Sequence, residues 1–219
     1  EWIRTMDAAG AVCEADVRAV ADRLLVVSES SAGQFGLQAL SAYQEEGVCT
    51  AHPTVLVFFC DDTMESVIDI KRFEVMIAAN PQLTVYFIPR SGRYGHDIAF
   101  DDMQDLLQET EFASLHRHIA AGRFMVSPHG PKSGCIDPRF LSRGLIDEID
   151  AFGARKRVIF ETKGCRNFEM LHGGLQIPWY AGFNCNRALS IRTVGVDGPP
   201  VFLRIPPGLL AYDGFTQAV

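Results

Sequence analysis

The chain begins with helical spacing of its apolar residues. Residues 15–27 are alanine-rich with apolar positions three and four apart, and a second helical stretch covers 33–43 after the break Ser28-Glu29-Ser30-Ser31. His52-Pro53 closes this section. From Thr54 the texture changes. Residues 54–60, TVLVFFC, form an unbroken β-branched and aromatic run, the pattern of a strand buried on both faces of a parallel sheet. A helix over 64–79, a strand over 83–88 and a Pro/Ser/Gly loop over 89–97 complete a β-α-β unit. A helical region over 100–121, a strand over 123–126, a helix over 138–152 and a strand over 156–161 repeat the alternation, and shorter β-like runs follow at 190–196 and 200–205. This alternation predicts an α/β fold: a doubly wound, mostly parallel sheet with helices on both faces. A short helical N-terminal region, residues 1–52, precedes an α/β domain over 53–219.

Composition narrows the function classes. The chain has 219 residues, 47% hydrophobic and 21% charged, enough to bury a sizeable core without a disulfide or metal staple. Its 20 Lys+Arg against 27 Asp+Glu give a formal charge of −7, the wrong sign for a protein held mainly to nucleic acid or to an anionic membrane surface. No stretch approaches the roughly 20 apolar residues of a membrane span, and the N-terminus lacks a basic region followed by an apolar one, which predicts a cytoplasmic protein. The six cysteines are scattered without metal-site spacing and are expected to be reduced thiols.

In open α/β sheets ligands bind beyond the carboxyl ends of the strands. Those positions are polar here. Asp61, Asp62 and Glu65 follow the first strand; Arg90, Arg93, His96 and Asp97 the second; Ser127, His129, Lys132 and Ser133 the third; Lys163, Arg166 and Asn167 the fourth. Carboxylates suit a hard cation and cationic side chains suit a phosphate, so the mixture points to a metal bound together with a phosphorylated substrate. Each residue also has a plainer use. Asp61-Asp62 suits the N-cap of the following helix, Asp97 a turn, and Lys163-Gly164 with Asn167 a strand exit and helix start. Trp179, Tyr180 and Phe183 suit a core as well as a pocket. The dehalogenase-type D-x-D pattern fails because position 63 is Thr. No G-x-G-x-x-G, G-x-x-x-x-G-K-[ST] or G-x-S-x-G string occurs.

Three of these segments, taken in order, carry a resemblance. An apolar strand running into D-N-x-x-E-x-x-x-D is matched by VLVFFCDDTMESVID at Asp61, Glu65 and Asp69, with Asp62 in place of Asn. A strand followed by an R-x(n)-N-D loop and an acidic helix start is matched by IPRSGRYGHDIAFDDM, with Asp97 at the Asp position and His96 for Asn. A strand running into K-G-x-x-N-[YF]-E-x-L is matched by VIFETKGCRNFEML at Lys163, Gly164, Asn167, Phe168, Glu169 and Leu171. Together, over about residues 54–205, they resemble the metal-dependent damage-control phosphatase family, which includes the acidic-residue-methyltransferase-1-like proteins. That family carries a longer helical region before the sheet, of which the first 50 residues resemble the last part. It also has a Lys-containing late strand, where this chain reads VFLRIPPG and offers Arg204.

The resemblance implies a divalent-metal-dependent phosphomonoesterase acting on small phosphorylated metabolites, sugar phosphates first. Asp61, Asp62 and Asp97 would hold Mn²⁺ or Mg²⁺, with Co²⁺ and Ni²⁺ as substitutes. Lys163 would offset charge on the phosphoryl oxygens, with Arg90 and Arg204 as further substrate contacts. Asn167 would orient a phosphate oxygen, and Glu65 would serve substrate hydroxyls. Two other readings stay open: a binding or interaction module on the same fold without turnover, and carboxyl methyl transfer to a protein acidic residue, against which the missing glycine loop argues.

Overall fold

The computed structural model describes residues 41–132, 136, 140–171, 179–184 and 200–205. The helix expected over 15–27, most of that over 33–43 and the strand expected over 190–196 lie outside them; residues 41–43 are helical and run into a π-helical segment Gln44–Val48, and the helix expected from 138 starts at Arg143, behind its cap Ser142. Six strands are present among these residues: β1 (Thr54–Phe59), β2 (Leu83–Ile88), β3 (Phe124–Val126), β4 (Arg157–Lys163), β5 (Trp179–Asn184) and β6 (Pro200–Ile205). Five α-helices lie wholly among the described residues: α1 (Thr63–Ala79), α2 (Phe100–Leu106), α3 (His116–Ala120), α4 (Arg143–Gly153) and α5 (Cys165–Leu171).

The strands form one sheet in the order β3-β2-β1-β4-β5-β6. The first five run parallel, and β6 closes the edge antiparallel to β5. This is the doubly wound α/β architecture that the alternation predicts. β1 and β2 are buried at every position, which is why they carry no polar alternation. Successive side chains of β1 point to opposite faces. Leu56 and Phe58 join Ile70, Phe73 and Ile77 of α1 in one core, while Val55, Val57 and Phe59 join Leu145 of α4 and Phe168 and Leu171 of α5 in the other.

Helix ends are closed by side chains. Asp62 accepts from Met64 N at 2.8 Å and caps α1, and Ser142 accepts from Leu145 N at 3.2 Å and caps α4. At the far end of α1, Arg123 donates to the carbonyls of Ile77 and Asn80.

Two elements differ from the sequence pattern. The helix expected over 100–121 is three pieces: α2, a 3₁₀ segment Thr110–Leu115 and α3. At about 100° per residue a continuous helix would turn Phe112 to the face opposite Met103. Both are buried, so the chain must break, and it does so at Glu109, whose backbone is extended. The aromatic segment Trp179–Asn184 is itself a strand, β5, with Trp179 and Tyr180 in the core as expected. Its Ala181-Gly182 centre weakens the strand signal. Among the described residues no helix is long and apolar enough to cross a membrane, and Cys49 and Cys60 are free thiols.

Candidate functional site

From β1 the chain winds outward through β2 and β3, then returns to place β4 on the other side of β1. The crevice beyond the carboxyl ends of β1 and β4 is therefore the topological switch point of the sheet. Asp61 leaves β1 there, and Lys163 and Gly164 leave β4. The two strand ends meet closely. Gly164 has φ +90°, and a Cβ at that position would stand 2.0 Å from Asp61 Oδ2, so glycine is what lets the Asp61 carboxylate lie against the β4 turn.

Asp97 reaches the same place through the loop after β2. That loop folds back along the end of β1: Ile98 N donates to Asp61 O at 3.2 Å, Arg90 N to Ile98 O at 2.9 Å and Phe100 N to Arg90 O at 2.8 Å. A turn at Tyr94–Asp97, with Gly95 at φ 57°, reverses the chain. Arg90 sits at the centre, 1% exposed. Its Nε donates to Asp97 Oδ2 at 2.7 Å, and its NH2 lies 3.8 Å from Asp61 Oδ1 and donates to Asn167 Oδ1 at 3.3 Å. Asn167 is fully buried; its Nδ2 donates to Lys163 O at 2.8 Å and its Oδ1 also accepts from Ile136 N at 3.3 Å.

The sequence candidates thus separate into groups. Asp61 and Asp97 converge on one guanidinium. Asp62 is committed to capping α1, although its backbone bridges to Asp97. Arg90 and Asn167 are interior groups that orient Asp61, Asp97 and the β4 turn. Glu65 pairs with Lys163 at 2.8 Å, and Asp69 holds the same ammonium at 3.2 Å. Arg204 lies on β6, paired in register with Tyr180 and separated from β1 by β4 and β5; its side chain is outside the described residues. Among the described residues no group of three or more His, Cys, Asp or Glu is arranged to hold a metal ion.

The electrostatics follow from crowding. Burial, and next the charge of Asp97, pushes the Asp61 carboxyl up to about 6, with Arg90 opposing and Glu65 and Asp62 adding to the rise. A carboxyl that holds its proton more tightly when folded than when unfolded stabilises the folded chain as that proton is bound. Stability in the presence of a chelator should therefore rise as pH falls through about 6 towards the ordinary aspartate range. Urea midpoints at pH 7 and pH 5 should show this rise in the wild type and a smaller one in Asp61→Asn. Equal rises would place the pH dependence elsewhere. For Lys163, burial works against the charge, but Asp69 and Glu65 outweigh it and its pKa is raised, so it is a fixed cation.

Sequence reasoning missed what stands behind Lys163. Asp69, matched in the motif but given no role, is 4% exposed and lies 3.4 Å from Arg72. Arg72 lies 2.7 Å from Glu161, which accepts a 2.6 Å hydrogen bond from the Tyr43 hydroxyl. The guanidinium also packs over the rings of Phe58 and Phe73, 5.6 and 4.3 Å from their centroids. One signal was visible: Glu161 is a charge inside an apolar strand and requires a partner. The i,i+4 spacing of Glu65 and Asp69, one face of one helix, was another.

No family model matches the chain, and no curated protein matches it. Among solved structures, the fold is similar to the crystal structure of a DUF89 family protein from Pyrococcus horikoshii, with TM-score 0.51 and 18% sequence identity. The match covers 70% of this chain and 48% of that one, so the chain spans about half the length of the protein whose fold it shares.

Proposed function

We propose that the protein is a divalent-metal-dependent phosphatase acting on small phosphorylated metabolites. The observation that carries the reading is the pair of carboxylates at the switch point, Asp61 from the end of β1 and Asp97 from the loop after β2, with the cation Lys163 on the neighbouring strand end. The three ordered motifs and the fold shared with a DUF89 family protein support it.

The donor set suits a hard cation. Mg²⁺ and similar ions are commonly held by one or two carboxylates, with water and substrate phosphate completing the coordination. Asp61 and Asp97 are two carboxylates of that kind. Burial and then the charge of Asp97 raise the Asp61 pKa by more than Arg90 lowers it, and a bound cation would favour the charged carboxylate. When bound, such an ion supplies Lewis-acid polarisation of the phosphoryl group and lowers the pKa of a coordinated water. The chain's own groups do the rest. Arg90 fixes the Asp97 carboxylate through its Nε hydrogen bond and holds that of Asp61 by charge at 3.8 Å. Gly164 removes the side chain that would displace Asp61. Lys163, a quarter exposed, presents its ammonium beside the crevice and offsets charge on the phosphoryl oxygens.

Phosphate release from p-nitrophenyl phosphate and from a panel of sugar phosphates, with Mn²⁺ and with chelator, tests the reading. Asp61→Asn and Asp97→Asn should each lower the Mn²⁺-dependent rate by about 100-fold or more while the far-ultraviolet circular dichroism is retained. Mn²⁺-independent release, or full activity in either variant, would overturn it. A second reading, a ligand-binding module without turnover, is favoured by the commitment of Asp62 to capping α1, which leaves two of the three expected carboxylates at the site. It predicts phosphate-ester binding by calorimetry with no release under any metal.

A further inference from the structure

The side chains behind Lys163 form a line of alternating charge, its two carboxylates buried and its Arg72 side chain 28% exposed, that ends on the segment before β1. Lys163 is held by Asp69, Asp69 is shared with Arg72, Arg72 is shared with Glu161, and Glu161 accepts from Tyr43. Asp69 and Glu161 are 4% and 2% exposed, and Tyr43 is 4% exposed. The Nε and NH2 atoms of Arg72 are shielded from solvent. Burial and then the charge of Glu161 raise the Tyr43 phenol well above its ordinary value, so it remains the donor of that bond. Two carboxylates therefore compete for one guanidinium, and one of them is also the inner anchor of Lys163.

We propose that Arg72 and Glu161 are positioning residues for Lys163: the share of Arg72 taken by Glu161 sets how firmly Asp69 holds the Lys163 ammonium, and Tyr43 tunes that share. The inference rests on the phosphatase reading only in giving Lys163 a substrate to act on. Its electrostatic content stands without it. If Glu161 loses its charge, Arg72 turns its full charge on Asp69, and Asp69 pulls less strongly on Lys163. The Tyr43 hydroxyl donates to Glu161 and also accepts from Arg72 Nη1 at 3.3 Å, so its loss frees both groups to pair with each other, draws Arg72 from Asp69 and leaves Asp69 to hold Lys163 more tightly. The two changes act on Lys163 in opposite directions, which mere loosening of the core does not do.

The test measures the lysine directly. Full-length protein is treated with trinitrobenzenesulfonate at pH 8, and modification of Lys163 is followed by peptide mass spectrometry, with kcat and KM for p-nitrophenyl phosphate measured in parallel. Glu161→Gln should speed Lys163 modification by about fivefold, and Tyr43→Phe should slow it by about twofold, because one lost or strengthened charged neighbour shifts the amine equilibrium by a fraction of a pKa unit to about one. In Glu161→Gln kcat should fall by about tenfold with KM changed less. Arg72→Gln combined with Glu161→Gln should return the modification rate towards that of the wild type. Tyr43→Phe keeps the ring in the core and supplies the reading should Glu161→Gln not fold. Equal rates in all variants, or faster modification in both single variants alongside a lower melting temperature, would overturn the proposal and leave a structural role. Opposite shifts in a protein that releases no phosphate even as wild type would uphold the relay and overturn only the phosphatase reading.

Discussion

Lys163→Met should lower turnover of a phosphomonoester by a factor of about 100 or more, equivalent to roughly 3 kcal/mol of lost transition-state stabilisation. Methionine keeps the length and apolar stem of lysine and removes only the charge. The ammonium is fixed by Glu65 at 2.8 Å and Asp69 at 3.2 Å, so it requires little reorganisation to face a phosphoryl group in the crevice. Groups held in place before the reaction are worth most where charge develops. KM should change less than kcat, because charge on the equatorial oxygens is redistributed in the transition state rather than created by binding. The change also has a structural cost: Asp69, nearly buried, is left with Arg72 as its cation. The two effects separate. If Lys163 only ties α1 to the end of β4, the rate per folded molecule is unchanged and only the denaturation midpoint falls. If it acts on substrate, a fully folded variant is slow.

What could be read from the sequence depended on how local the cause was. The strands β1 and β2 announced themselves because both faces of a central parallel strand must be apolar, and that condition is written in consecutive residues. The polar residues beyond those strands followed, Asp61 directly after the β1 run and Asp97 in the loop after β2, since the chain has to emerge at the carboxyl edge. Hence Asp61, Asp97 and Lys163 could be named before their geometry was known. β5 was harder, because a strand with Ala-Gly at its centre loses the β-branched signature. The break at Glu109 shows a different limit. It is set by the need of both Met103 and Phe112 for the core, and the phase conflict between them is visible only once both are required to be inside. The charges behind Lys163 lie still further out of reach. No local pattern tells Arg72 of α1 that its partner is Glu161 of β4, because their meeting is decided by how the helix lies on the sheet.

Arg90 marks the point where sequence and geometry assign one side chain to different work. An arginine after a strand, in a loop with Ser and Gly, has the appearance of a phosphate ligand. In the structure its side chain is 1% exposed and is spent on Asp97, Asn167 and Asp61. Removing one partner of a buried ion pair leaves an uncompensated charge, a loss of about 3–5 kcal/mol. Arg90→Met should therefore be the most destabilising single change at the site. Asp97, 15% exposed, would lose its 2.7 Å partner, and the burial and Asp97 charge that already raise Asp61 would go unopposed by Arg90. Part of that loss should return at pH 5, where Asp61 takes up its proton, so the urea midpoint of the variant should rise more steeply on acidification than that of the wild type. Mn²⁺ should also restore part of it, if the two carboxylates bind the ion. A substrate-binding arginine on the surface would behave otherwise: Arg90→Met would keep wild-type stability and raise KM alone, and that result would move Arg90 out of the framework of the site and into the group of side chains that touch the ligand.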